Sequence, residues 1–355
     1  MVRMIKRADI TKFKSISIRI IAILGALIVA GLFIKLLGHN PLEVYKSMVL
    51  GAFGTQHRIR QTLIIAIPLV ITSVGIMIAF KMNFWNIGAE GQILMGAFLA
   101  SFVALNFPAL PKPLLLTLMF IAGIIGGGLW ALIPAMLKVK FDTNETITTL
   151  MMNYIAIKWI TYLQYGPWKD PKAMGFPKIA DFSQQGQLPK LFGIHIGWII
   201  AIILVVIVYM FLHHSKKGFE ITVVGQSTDT ARYAGMDVKK VMLSALFISG
   251  GICGITGMIQ ASGVARSLSV EVSAGYGFTA IITAWLSGLR SIVIVPVSIL
   301  FAMLLQGGSY IQTAFQIPKA AAEILQGLIL FFILGSEFFI RYKLIWNKKS
   351  SKEAK

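Results

Sequence analysis

Apolar runs of about twenty residues alternate with short polar stretches along nearly the whole chain, and ten of them approach the length a helix needs to cross a bilayer. They cover roughly 18–37, 61–80, 87–106, 113–137, 145–165, 195–212, 241–263, 275–289, 292–315 and 321–340. Two polar interruptions are long: GPWKDPKAMGFPKIADFSQQGQLPKLFGI (166–194) and the stretch 213–240. The pattern predicts an all-α polytopic membrane protein of about ten transmembrane helices, forming a single transmembrane domain over 1–355. The first 19 residues, MVRMIKRADITKFKSISIR, hold six Lys or Arg ahead of an apolar segment. No small-residue cleavage site follows, so the first run is expected to be an uncleaved span.

Composition agrees with this reading. Only 13% of the 355 residues are charged, 56% are hydrophobic and the mean hydropathy is +0.77, whereas soluble domains carry about 25% charged residues. A net charge of +19 in a soluble chain would point to nucleic acid. In a membrane chain basic residues gather on cytoplasmic loops instead, so membrane lipid and not nucleic acid is the expected surroundings. With the N-terminus inside and ten spans, 21 of the 33 Lys and Arg fall on cytoplasmic segments, 11 on outer ones if Lys35 at the end of the first run is counted there, and Lys158 within a span. Both termini (1–19 and 341–355) and the 213–240 loop are therefore expected in the cytoplasm, with NKKSSKEAK as a solvated basic end. Cys253 stands alone in an apolar run, which excludes an intramolecular disulfide and suits core packing.

The stretch TVVGQSTDTARYAGMDVKK (222–240) has the marks of a short helix. Ser227 or Thr228 can cap it, Asp229 suits its positive first turn, and Gly235 can take the left-handed conformation that ends it. A helix of about two turns is unstable alone and must pack on something. It either lies on its own bundle or presses into a groove on a cytoplasmic partner, with Arg232 and Tyr233 as anchors.

GQSTDTARYAGMDVKKV, followed by SGGICGITGMIQASG, resembles the coupling segment of ABC-importer permeases of the branched-chain amino acid and simple sugar group. KMNFWNIGAEGQILMGAF (81–98), FDTNETITTLMMNYIA (141–156) and QLPKLFGIHIGWIIAI (187–202) resemble the nucleoside permeases within it. The likeness extends from about residue 60 to AAEILQGLILFFILGSEFF. ITAWLSG (282–288) departs from it, carrying Trp285 where the family usually has a smaller residue, which bears on substrate size. The resemblance implies a ten-helix importer with spans 2–5 and 7–10 as inverted repeats, in the plasma membrane of a bacterium. It also implies a separate cytoplasmic ABC ATPase, a second permease subunit making a heterodimer, and an extracellular substrate-binding lipoprotein. Ser227, Asp229, Arg232, Tyr233, Ala234, Gly235 and Met236 would form the ATPase coupling segment.

In inverted-repeat transporters, short or glycine-interrupted segments at corresponding positions point to the pathway. Span 3 opens with Asn86, Gly88 and Gly91, and the short span 8 opens with Gly275, Tyr276 and Gly277. A nucleoside offers hydroxyls and base edges to hydrogen-bond and a flat face to stack. Asn83, Trp85, Asn86, Glu90 and Gln92 supply that repertoire within ten residues, with Asn144, Glu145, Asn153, Tyr276 and Trp285 as further pathway candidates. Structural readings stand beside these. Glu90 can complement its own helix dipole with Lys81 as a neighbour, and Asp142 with Glu145 can form a capping box for span 5. The simplest alternative substrate is a sugar such as ribose or galactose, and a secondary transporter or membrane enzyme is a more distant one.

Other features read as structural. Lys158 among Trp159, Tyr162, Tyr165 and Trp168 fits an interfacial aromatic belt, and adjacent His213 and His214 face different ways on a helix, unlike a metal pair. Gly123 with Gly127, and Gly250 with Gly254, have the spacing for close helix contact. The outer stretch 166–194 could cover the outer mouth or receive the lipoprotein. No Gly-Lys pair occurs, hence no phosphate loop, and neither H-E-x-x-H nor G-x-S-x-G is present. The chain is expected to be a translocation subunit without enzymatic activity, cofactor or metal.

Overall fold

The computed structural model describes residues 2–6 and 11–346. After a strand β1 (Val2–Lys6) come α1 (Lys12–Leu36), α2 (Pro41–Phe53), α3 (Gln56–Lys81), α4 (Ala89–Asn106), α5 (Lys112–Phe141) and α6 (Glu145–Tyr165). A small hairpin, β2 (Lys190–Leu191) and β3 (Ile194–His195), leads into α7 (Gly197–His214), α8 (Lys216–Gln226), α9 (Thr228–Tyr233) and α10 (Val238–Ile259). The chain ends with α11 (Tyr276–Leu286), α12 (Ser291–Ala314), α13 (Lys319–Arg341) and β4 (Tyr342–Trp346).

Each of the ten apolar runs coincides with a helix, and 145–165 matches α6 residue for residue. Among the described residues six helices are long and apolar enough to cross a membrane: α3, α4, α5, α7, α10 with its continuation to Ala265, and α12. The pair α1 and α2, bent by 110°, makes a seventh if it is one span. The protein is thus an all-α polytopic membrane protein. Two helices escaped the apolar pattern, α2 and α8, because both are amphipathic. Asn40 caps α2 by accepting from the Leu42 amide at 3.1 Å, Pro41 fits its first turn, and Val44, Met48 and Ala52 form its buried side.

The chain divides into two compact units, 1–59 with 303–355, and 60–302. In the first, α1 pairs with α13, and Ala30, Ile34, Val44, Met48, Ile311 and Leu325 share one core. The Arg58 guanidinium lies 4.2 Å from the centre of the Tyr310 ring, a cation–π contact. The two terminal segments do not simply trail into solvent, since β1 pairs antiparallel with β4 from Val2↔Trp346 to Lys6↔Tyr342. The NKKSSKEAK end, 347–355, lies outside the described residues.

In the second unit α4, α5 and α10 approach backbone to backbone. A side chain on Gly254 would collide with the Gly123 carbonyl, and one on Gly127 with the Gly250 carbonyl. The two glycine pairs singled out by spacing thus meet each other across α5 and α10. Cys253 is fully buried beside Gly75, as core packing requires. α3 is buried nearly all round, which explains why it is apolar on every face.

The stretch 166–194 is folded. Lys169 bridges Ile179, and the β2–β3 turn places Phe192 (φ 55) and Gly193 (φ 82) both left-handed, as a two-residue hairpin demands. The Phe182 amide donates to the Arg266 carbonyl at 2.8 Å and the Leu188 amide to Ser262 at 3.2 Å, seating the stretch on the π-helical turn 260–265 that ends α10.

Candidate translocation site and coupling helix

Helical hydrogen bonding lapses between Lys81 and Ala89, in the middle of apolar surroundings where unpaired backbone groups are costly. Side chains make good the loss. Asn153 accepts from the Gly91 amide at 2.8 Å and donates to the Ile87 carbonyl at 2.9 Å, while Thr149 Oγ1 accepts from the Ile87 amide at 3.2 Å. Asn86 accepts from the Gly88 amide at 3.1 Å and exchanges hydrogen bonds with Gln92 at 3.0 and 3.2 Å. Asn86, Gln92 and Asn153 are all buried and together hold the break in shape. Thr149 was missed by sequence reasoning, although it lies one helical turn before Asn153 on the same face of α6.

Glu90, 4% exposed, does not turn toward Lys81. Its carboxylate accepts from the amides of Gly275 (2.8 Å) and Gly277 (2.7 Å), at the N-terminus of α11. A carboxylate there meets orphan amides and the positive end of the helix dipole at once. The bonds fix the start of α11, an apolar helix of eleven residues, against the first turn of α4. Between Arg266 and Gly275 the chain is non-helical apart from one short turn, Val270–Val272. The starts of α4 and α11, the two segments expected to open spans 3 and 8, are therefore in direct contact.

Beside this junction stand three rings. Trp85, 46% exposed, stacks on Trp285 with 5.4 Å between centroids and 28° between planes, and Phe80 lies 5.7 and 5.6 Å from the two. Tyr276 packs with Trp285 against a buried group containing Phe80, Ile93 and Ala280. Asn83 does not join the buried amides. It is left-handed (φ 56) and its amide donates to the carbonyl of Gly225 in the last turn of α8.

Asn144 and Glu145 lie at the start of α6 and not with the Asn86 group. Asn144 is itself the cap, accepting from the Ile147 amide at 3.1 Å. The expected box of Asp142 and Glu145 does not form, because Asp142 (φ 50) closes α5 two residues before the Asn144 cap of α6. Asp142 and Glu145 both meet Lys138, at 2.8 and 3.3 Å, and that cation holds the exposed Asp142 carboxyl below the usual range.

Helix α9 takes the form its sequence announces. Ser227 accepts from the Thr230 amide at 3.2 Å, and Asp229 meets Arg232 at 3.6 Å. Gly235 (φ 75) donates to Arg232, and Met236 to Ala231, the paired bonds of a glycine-terminated helix end that also carries Ala234. Ala231 is buried and Met236 packs on the core, whereas Tyr233 is 93% exposed. The helix lies on its own bundle by one face and presents Arg232 and Tyr233 outward by the other.

In β3, just ahead of α7, His195 is buried, and neither ring nitrogen has a hydrogen-bond partner. Burial, with Lys190 nearby, lowers its pKa to about 4.

A bundle of apolar helices in which the non-helical approaches to α4 and α11 are locked together defines a polytopic transporter-like membrane protein. The chain belongs to the family described as branched-chain amino acid transport system / permease component, whose model matches residues 58–334. It is 34% identical over 338 residues to a glucose ABC transporter permease protein of Haloferax volcanii, covering 92% of this chain and 88% of that one. It is 29% identical to a nucleoside ABC transporter permease protein of Lactococcus lactis, covering 91% of each. Identity to a guanosine ABC transporter permease protein of Bacillus subtilis is 28%, over 96% of this chain and 99% of the relative. The protein is an ABC transporter permease of the sugar and nucleoside group, multi-pass in the plasma membrane.

Proposed function

We propose that the chain forms the translocation path of an ATP-driven nucleoside importer. The observation that carries this reading is the junction at Glu90, where two broken spans meet beside exposed indole surface at Trp85. A flat base passing such a seam finds aromatic faces to slide along. Ten spans, with both termini and 213–240 cytoplasmic and 2–5 related to 7–10 by inversion, fit the charge bias and the two meeting breaks. Helix α9 is the contact for a separate cytoplasmic ATPase, through Arg232 and Tyr233. A second permease, making a heterodimer, completes the pore. A binding lipoprotein delivers solute at the outer side, near the folded 166–194 stretch.

A sugar is the second reading, favoured by the 34% identity to the Haloferax permease. Uptake of labelled guanosine by cells with and without the gene, in excess unlabelled ribose and glucose, separates the two. Gene-dependent uptake that neither sugar inhibits supports the nucleoside reading. Gene-dependent entry of labelled sugar, with none of guanosine, overturns it.

A further inference from the structure

We propose that the stacked pair Trp85 and Trp285 is the inner seal of the path, and that Asn83 ties it to the coupling segment through Gly225. The inference rests on the importer reading and adds to it a route from α9 to the pathway.

The route is short and made of named contacts. Ser227 both ends α8 and caps α9, so the two helices share a residue and move together. The other end of the connection is fastened twice. Asn83 donates to the Gly225 carbonyl, and the Gly225 Cα rests against the Lys81 carbonyl with no space for a side chain. Ile221 and Val224 on α8 are buried. A push on Tyr233 or Arg232 therefore arrives at residues 81–83, the start of the broken segment.

That segment is held at its far side as well, by Asn86 on Gly88 and Gln92 and by Asn153 on Ile87. Trp85 stands between the tie and these anchors. Displacement of Asn83 with Asn86 fixed alters the torsions of 84 and 85, and the indole swings on its partner. Trp285, larger than the residue the family resemblance leads one to expect, gives Trp85 a full ring to close against. Phe80 backs both rings from α3. Asn83 acts through Trp85 and is a positioning residue: its left-handed backbone and amide donor put the tie where Gly225 can receive it.

The test uses the permease complex with its ATPase in proteoliposomes, with whichever labelled solute, guanosine or glucose, the wild type takes up. ATP-independent uptake by the wild type would sink the importer reading itself, before any variant is compared. Asn83→Gly keeps the backbone conformation and removes only the donor. It is expected to lower uptake at least about fivefold, the low end of a coupling free energy, while ATP hydrolysis stays near the wild-type rate. Uptake unchanged, or uptake and hydrolysis falling together, overturns the tie. Liposomes loaded with solute and given no ATP test the seal. Trp85→Ala and Trp285→Ala are each expected to leak faster than wild type; slower uptake with no leak would instead make the rings a substrate-stacking face and overturn the seal.

Discussion

The Glu90 carboxylate accepts from the Gly277 amide at 2.7 Å across 187 residues of sequence, joining the first turn of α4 to the first turn of α11. Gly277 has no room for a side chain there, since a Cβ would run into the backbone of Glu90. Glu90→Gln turns one acceptor oxygen into a donor that faces an amide. It should destabilise the protein by roughly 2 kcal/mol, the cost of an unsatisfied buried group. A lower melting temperature in detergent is the check, and a loss of uptake with unchanged melting would make Glu90 a substrate ligand instead.

Replacing Gly254 by leucine drives a side chain into the Gly123 carbonyl. Overpacking of a tight contact costs about 1–3 kcal/mol or more, and here the obstacle is backbone. The variant should fail to accumulate in the membrane as a single species, seen by size-exclusion chromatography of detergent extracts.

His195 makes the β2–β3 hairpin and the chain packed on it sensitive to acid. Its pKa is about 4 when folded against 6.5 when free, so unfolding this region takes up a proton between those values. The contribution to stability is complete above about pH 6.5 and is lost as pH falls toward 4, by about 3 kcal/mol in all. Limited proteolysis of 166–196 should accelerate across that window, and His195→Leu should flatten the dependence. A wild-type profile without slope there would contradict the assignment.

Arg232→Ala combined with Tyr233→Ala removes the outward face of α9 and leaves Ala231 and Met236 seated. Membrane level should match wild type and uptake should fall at least about tenfold, within the range expected of hot-spot anchors. Normal uptake in cells, measured alongside a blot of the membrane fraction, would rule out α9 as the ATPase contact.

Much of this was legible in the sequence. Helix α6 is legible to the residue from its apolar run 145–165, although in sequence its cap reads as Asp142 with Glu145 and in the structure the cap is Asn144. Helix α9 was readable because its cap, first-turn acid and terminal glycine are local signals. Contacts across long separations were not. That Asn83 belongs to Gly225, or Glu90 to Gly275 and Gly277, depends on how the spans pack, and no periodicity within a single span encodes it. The polar residues between 83 and 92 looked like ligands because ligands and menders of broken backbone are the same residue types. Their distinction lies in partners, which only the packing reveals. Helix α2 lacks a long apolar run, since Glu43, Tyr45 and Lys46 interrupt it in sequence while Val44, Met48 and Ala52 keep one side apolar.

The glycine contacts among α4, α5 and α10 bear on motion. Where backbone touches backbone there is no layer of side chains to switch rotamers, so nothing lubricates sliding or rolling. Those three helices must travel as one block. Relative motion around that block must then be taken up by the non-helical connections that leave it, among them 82–88 ahead of α4 and 266–275 after α10, where only Val270–Val272 forms a turn.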